Sequence, residues 1–160
     1  MSNGHRGVTL VELCFGVAIV ATLVALAAPG FRASLRAAAV RTATFELLAG
    51  LQQARGSAIL ESRTAELCPS NATGLCLSAH TPSSHWQTSG GHEPPVSRTL
   101  PAGVVVRASR SPLKFWPNAL GASTGTLTIC DAQGVAPPRA IVLSLSGRAR
   151  LATAPGAACG

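Results

Sequence analysis

Acid is what this chain has least of. Six Asp+Glu stand against thirteen Lys+Arg, and Asp131 is the sole aspartate. By sequence spacing, Glu61, Glu66 and Glu93 show no second carboxylate to work with, so no paired-carboxylate site for acid–base work can be assembled. No Ser-His-Asp arrangement can be put together either. The glycines are scattered rather than grouped before a helix, which excludes a phosphate loop. Neither cysteine pair has CxxC spacing, and His80, His85 and His92 are spaced by five and seven residues, matching no common zinc pattern. No internal repeat is visible. The sequence therefore points away from enzymes and implies no metal and no cofactor.

What the chain does have is a long apolar run. From Leu13 to Phe31 there are nineteen residues without a charged side chain. As a helix they span about 28 Å, close to the roughly 30 Å hydrocarbon core of a bilayer. A cleaved secretory signal is the rival reading, with Ala25-Leu26-Ala27 imitating a cleavage site. Its apolar core is usually only about 7–15 residues. Glu12 argues against it, because an acid in the first turn of a spanning helix costs about 2.5–3.5 kcal/mol and so calls for a function. Arg6-Gly7-Val8-Thr9-Leu10-Val11-Glu12-Leu13, followed by this run, resembles the start of a type IV prepilin. The resemblance implies cleavage after Gly7 by a prepilin peptidase and methylation of the new amine on Val8. It also implies that Glu12 pairs with the amine of a neighbouring subunit, and that Pro29 sits where prepilins often carry a helix-kinking proline. Prepilins most often begin the mature chain with phenylalanine, whereas this one offers Val8.

Net charge is +7, or +6 once Arg6 leaves with the leader, and twelve of the thirteen basic residues are arginine. From Arg98 to Arg150 there are seven basic residues and one acid. A basic half in an exported protein suits a polyanionic partner such as nucleic acid, lipopolysaccharide or an anionic headgroup surface; a solvated basic surface is the plain alternative. Cys14 lies within the apolar run and reads as a small filler. The other four cysteines follow it, where an oxidising periplasm permits disulfides, and they allow three pairings. Cys68 and Cys76 flank a strand–turn–strand pattern, which favours Cys68–Cys76, with Cys130–Cys159 tying the C-terminus to a strand.

Residues 32–60 are rich in Ala, Leu, Glu, Gln and Arg and continue the helix. Leu47, Leu51, Ala54 and Ala58 recur at helical spacing beside Leu48 and Ile59, with Arg41, Glu46 and Arg55 on the other side. Gly50 is a weak point that predicts a bend. Beyond Ser62 strands are expected at 64–68, 75–79, 103–109, 113–116, 125–130 and 140–146, with 148–151 resuming the last. Residues 81–97, rich in Pro, Ser, Gly and His, read as a long loop. The expected architecture is α+β, type IV pilin-like, with a long N-terminal helix packed on an antiparallel sheet. The divisions are a leader at 1–7, a membrane helix at 8–31, its amphipathic continuation at 32–62 and a β-rich periplasmic domain at 63–160.

The globular half resembles the GspH/FimT family of minor pilins and pseudopilins. The match runs in order through Gln53-Ala54-Arg55, Leu67-Cys68-Pro69-Ser70, Cys76, Trp86, Leu100-Pro101-Ala102-Gly103-Val104, Phe115-Trp116-Pro117-Asn118, Leu127-Thr128-Ile129-Cys130 and Arg139-Ala140-Ile141-Val142-Leu143-Ser144, ending in Ser146-Gly147-Arg148-Ala149-Arg150. The resemblance implies a single-pass inner-membrane protein that assembles with other pilins. FimT-type members are associated with DNA uptake and a Gly-Arg-X-Arg element, which Gly147-Arg148-Ala149-Arg150 fits; GspH-type members serve type II secretion without nucleic acid.

In an extended strand Arg148 and Arg150 project to one side, about 6.6 Å apart at about 3.3 Å per residue. Two guanidinium forks so placed suit double-stranded DNA, engaging phosphate oxygens without reading sequence. The plain reading is two charges guarding an edge strand. Arg107, Arg110 and Lys114 are supporting candidates, and Arg139 a further one.

Overall fold

The computed structural model describes residues 9–90, 93–117 and 121–154. Helix α1 (Leu10–Leu60) is followed by β1 (Ala65–Ser70), β2 (His85–Gly90), β3 (Glu93–Thr99), β4 (Val104–Ala108), β5 (Leu113–Phe115), β6 (Gly125–Asp131), β7 (Arg139–Leu143) and β8 (Ala149–Thr153). Two compact units divide the chain after Leu35.

Thr9 begins α1 as its cap. Its hydroxyl accepts from the Glu12 amide at 3.3 Å and its carbonyl accepts from the Leu13 amide, leaving fewer orphan donors at the helix start. Glu12, in the first turn, also faces the positive end of the helix dipole. The helix runs on through Pro29. In this first unit the apolar side chains Leu13, Phe15, Val17, Ile19, Val20, Leu23 and Val24 are all exposed. The helix is long and apolar enough to cross a membrane, and none of its most apolar window is buried.

The second unit holds two antiparallel four-stranded sheets, ordered β3-β2-β1-β5 and β4-β6-β7-β8. The 36–60 part of α1 packs on both through Val40, Ala43, Leu47, Leu51, Ala54 and Ala58. Spacings of three and four residues keep these on one stripe. Leu47, Leu67, Val106, Leu113, Leu127 and Ile129 are fully buried in the shared core. Leu48 packs at its margin, while Ile59 is exposed rather than part of the stripe.

Four expectations need correction. Gly50 is no weak point: the helix passes unbroken through it, and a Cβ there would overlap the Trp86 ring. Its role is to let indole and helix backbone touch. Residues 75–79 are not a strand; only Cys76 bridges back to Ser70. β5 takes this edge of β1 from Ala65 to Leu67, which leaves only the Pro69–Ser70 end for a bridge, and Asn71 Oδ1 turns the chain by accepting from the amides of Thr73 and Leu75.

The supposed loop at 81–97 contains β2 and β3. Pairing along β1, such as Pro69 opposite Trp86, overrides the polar composition. Pro94 and Pro95 are tolerated because β3 is an edge strand. Lastly, β7 ends at Leu143 rather than at 146, since Ser144 opens a tight turn.

Candidate functional site

The β7–β8 hairpin follows from Gly147. Its amide donates to the Ser144 carbonyl at 2.9 Å, and the Ser144 amide donates to the Arg148 carbonyl at 3.1 Å. Gly147 has φ 74°, the left-handed residue that completes a three-residue hairpin loop with a bulge. A Cβ at Gly147 would meet nothing nearer than Arg55 Nε at 3.4 Å, so conformation rather than space requires glycine here. The Ser144 hydroxyl braces the turn further, accepting from the Arg148 amide at 3.2 Å.

Beyond the turn, Val142 faces Arg150 and Leu143 faces Ala149. Arg148, opposite Ser144, is two residues from Arg150, so both arginines lie on the side of β8 away from the buried Leu143 row. Both are exposed. The row Thr126–Val142–Arg150 forms the floor of a groove also lined by Ser109, Arg110, Thr124 and Ser144. Arg110 and Arg150 thus share one concave surface, with Arg148 at its end. Arg55 reaches the same hairpin from α1, its Nε beside Gly147.

The remaining basic candidates are differently placed. Lys114, on the other sheet, pairs with Glu66 at 2.7 Å. Arg107 lies on the same sheet face as Arg150, one row over, and its Nε donates to the His80 carbonyl at 3.1 Å. Arg139 opens β7, opposite Thr153. Composition alone could not separate engaged from available cations. Arg55 was missed as a site residue because its helical position says nothing of the hairpin that folds against it.

Cys68 and Cys76 are disulfide-bonded, with their Cα atoms 5.6 Å apart. Cys130 is disulfide-bonded as well; its expected partner Cys159 lies outside the described residues, as do Gly7, Val8 and His92. Cys14 is free and exposed. Glu12 is exposed in the first turn of α1. His85 Nδ1 lies 3.1 Å from the Ser84 hydroxyl, and among the described residues no three metal-ligating side chains converge.

A second polar cluster escaped the sequence reading. Asp131 is buried on β6, and its Oδ2 accepts from the amides of Val135 (2.8 Å) and Ala136 (3.3 Å). Arg36 of α1 reaches its Oδ1 at 3.9 Å, an ion pair too long for a hydrogen bond. The same guanidinium donates to the Ala102 carbonyl at 3.2 Å. The lone aspartate is thus a structural clamp.

Comparison with known proteins places this geometry. Two crystal structures of the type IV minor pilin FimU from Pseudomonas aeruginosa PAO1, in space groups P21 and P65, share the fold. The first is 19% identical with a TM-score of 0.52, covering 74% of this chain and 90% of FimU. The second is 20% identical with a TM-score of 0.51, covering 73% and 94%. No curated protein is significantly similar in sequence. The model of the family described as type II transport protein GspH matches residues 43–147. The match stops at Gly147, so Arg148 and Arg150 lie just beyond it. By the extent of that match, and with its pilin fold, the chain belongs to the GspH family.

Proposed function

We propose that this chain is a minor subunit of a type IV filament that captures double-stranded DNA without sequence preference, through phosphate contacts from Arg148 and Arg150. The observation that carries the reading is the β7–β8 hairpin: it presents two exposed arginines on one side, with Arg110 across the groove. Phosphate contacts of this kind position DNA without reading its bases. Non-specific affinities of about 10⁻⁴–10⁻⁶ M suit a subunit that must hold and then release a passing polymer.

In the same reading the leader is cut after Gly7 by a prepilin peptidase and Val8 is methylated. The apolar helix anchors the subunit in the inner membrane, with the globular unit in the periplasm, until other pilins take it up through Glu12. Gly7→Ala should leave the band at the mobility of the uncut precursor; a band at mature mobility would sink the prepilin reading.

The test of DNA capture is a salt titration of duplex binding by the full chain in nanodiscs of zwitterionic lipid. An Arg148→Gln, Arg150→Gln double variant is measured beside it. Removal of two phosphate contacts should weaken binding and flatten the slope of log K against log salt by about 1.8. Equal binding by both proteins would show diffuse charge to be responsible. Absence of binding by either would favour a second reading, a type II secretion pseudopilin acting through protein contacts alone, which the description of the matched family supports.

A further inference from the structure

The chain has two tryptophans in opposite situations. Trp86 is buried against Gly50, whereas Trp116 is 40% exposed. Alternation along β5 explains the second: Leu113 and Phe115 point into the core, so Trp116 turns outward. Its ring lies against Gly121, where a Cβ would come within 2.8 Å of Cε3. A glycine beneath the indole lets it lie close on the backbone and leaves part of its surface to solvent.

The backbone brings Trp116 near the arginine hairpin. The Trp116 amide donates to the Gly121 carbonyl, and the Ser123 amide donates to the Lys114 carbonyl. Between them the Ala122 amide points the other way and donates to the Leu145 carbonyl, in the hairpin loop. Residues 121–123 therefore run between β5 on one side and the hairpin on the other. Two inter-strand spacings, about 10 Å, separate the Trp116 backbone from the loop that carries Arg148. Leu145 at the loop tip is also exposed, at 65%.

A closed duplex offers this surface its phosphates but keeps its base faces stacked inside. An unpaired strand offers both, and aromatic stacking with adjacent cations is how single strands are held without sequence preference. We propose that Trp116 stacks on an unpaired nucleobase, so that the arginine hairpin prefers single-stranded or frayed DNA to closed duplex. This rests on the DNA-capture reading above and adds to it: the arginines hold duplex phosphates, and stacking by Trp116 adds affinity wherever a strand is unpaired.

The test uses the full chain in zwitterionic nanodiscs, with oligothymidine of about a dozen nucleotides and a relaxed, covalently closed plasmid as probes. Trp116→Ala, Trp116→Phe and the Arg148→Gln, Arg150→Gln variant are compared with the unaltered chain. Oligothymidine should quench Trp116 emission while buried Trp86 stays unchanged and reports that the fold is intact. Trp116→Ala should lose about tenfold in oligothymidine affinity, keep its plasmid affinity, and be rescued by Trp116→Phe. Unchanged oligothymidine binding in Trp116→Ala, or equal losses on both probes, would overturn the stacking role. In either case loss of binding in the double-arginine variant would leave phosphate capture standing. Failure of the unaltered chain to bind either probe would remove the DNA reading and this proposal with it.

Discussion

Two stretches of one helix use apolar side chains for different ends. Between Arg36 and Leu60, α1 buries a stripe from Val40 to Ala58, with half-buried residues at its margins and an exposed opposite side. Between Leu10 and Leu35 it is apolar around its circumference and buries almost nothing. The first stretch is amphipathic because its partner is a sheet of the same chain. The second has no polar side, as expected of a helix whose surroundings come from lipid or from neighbouring subunits. Hydrophobicity alone does not separate these uses; periodicity does.

The sharpest way to break the comparison is to truncate one leucine in each stretch. Leu47→Ala, at a fully buried site, should cost the globular unit about 3–5 kcal/mol. Leu23→Ala should move it by less than about 0.5 kcal/mol, although its site is just as apolar in sequence. Urea unfolding in nanodiscs, followed by Trp86 emission, measures both; equal effects would mean the two stretches are not distinct.

Asp131→Ala comes next, at about 2–4 kcal/mol, since it strips the buried Ala136 amide and the half-buried Val135 amide of their acceptor and Arg36 of its counter-charge. A smaller loss is expected from Cys68→Ala with Cys76→Ala. Closing a segment with a sequence separation of 8 restricts the unfolded chain by about 2.5 kcal/mol, so the double variant should unfold at lower urea than the parent without reductant and at the same urea concentration once both proteins are reduced. Smallest is Gly147→Ala, about 1–2 kcal/mol from the left-handed backbone alone. Because there is room for the methyl group, Gly147→Asn should recover part of that loss. An alanine variant as stable as the parent would mean that the hairpin does not depend on glycine.

The sequence made much of this legible, and the failures have a common cause. Helical spacing identified Leu47, Leu51, Ala54 and Ala58 because periodicity is local. Alternation of β-branched residues located β4 and β6 for the same reason. The turn at Gly147 and the arginines after it could be read from residue order. What failed depended on distant pairing. β2 and β3 look like loop in composition and become strands because β1 offers an edge to β2 and β2 offers one to β3. Residues 75–79 look like strand and are not, since β5 holds most of that edge of β1 and leaves room for one bridge. Gly50 suggested weakness until Trp86, far away in sequence, explained it. Within the basic surface, Lys114 and Arg107 are engaged by Glu66 and His80, whereas Arg110 shares its groove with Arg150. Charge counts cannot see such engagements.

The Arg36–Asp131 clamp has a mechanical meaning. A filament subunit held by its helix and loaded at its far end carries tension along α1. Arg36, the first residue of the globular unit, grips Asp131 and the Ala102 carbonyl together. Asp131 ends β6, an interior strand paired on both sides by β4 and β7, and the adjacent Cys130 is covalently tied. The clamp therefore ties this part of the helix to an interior strand rather than to an edge strand. The chain's only aspartate stands where the rope is knotted to the hook.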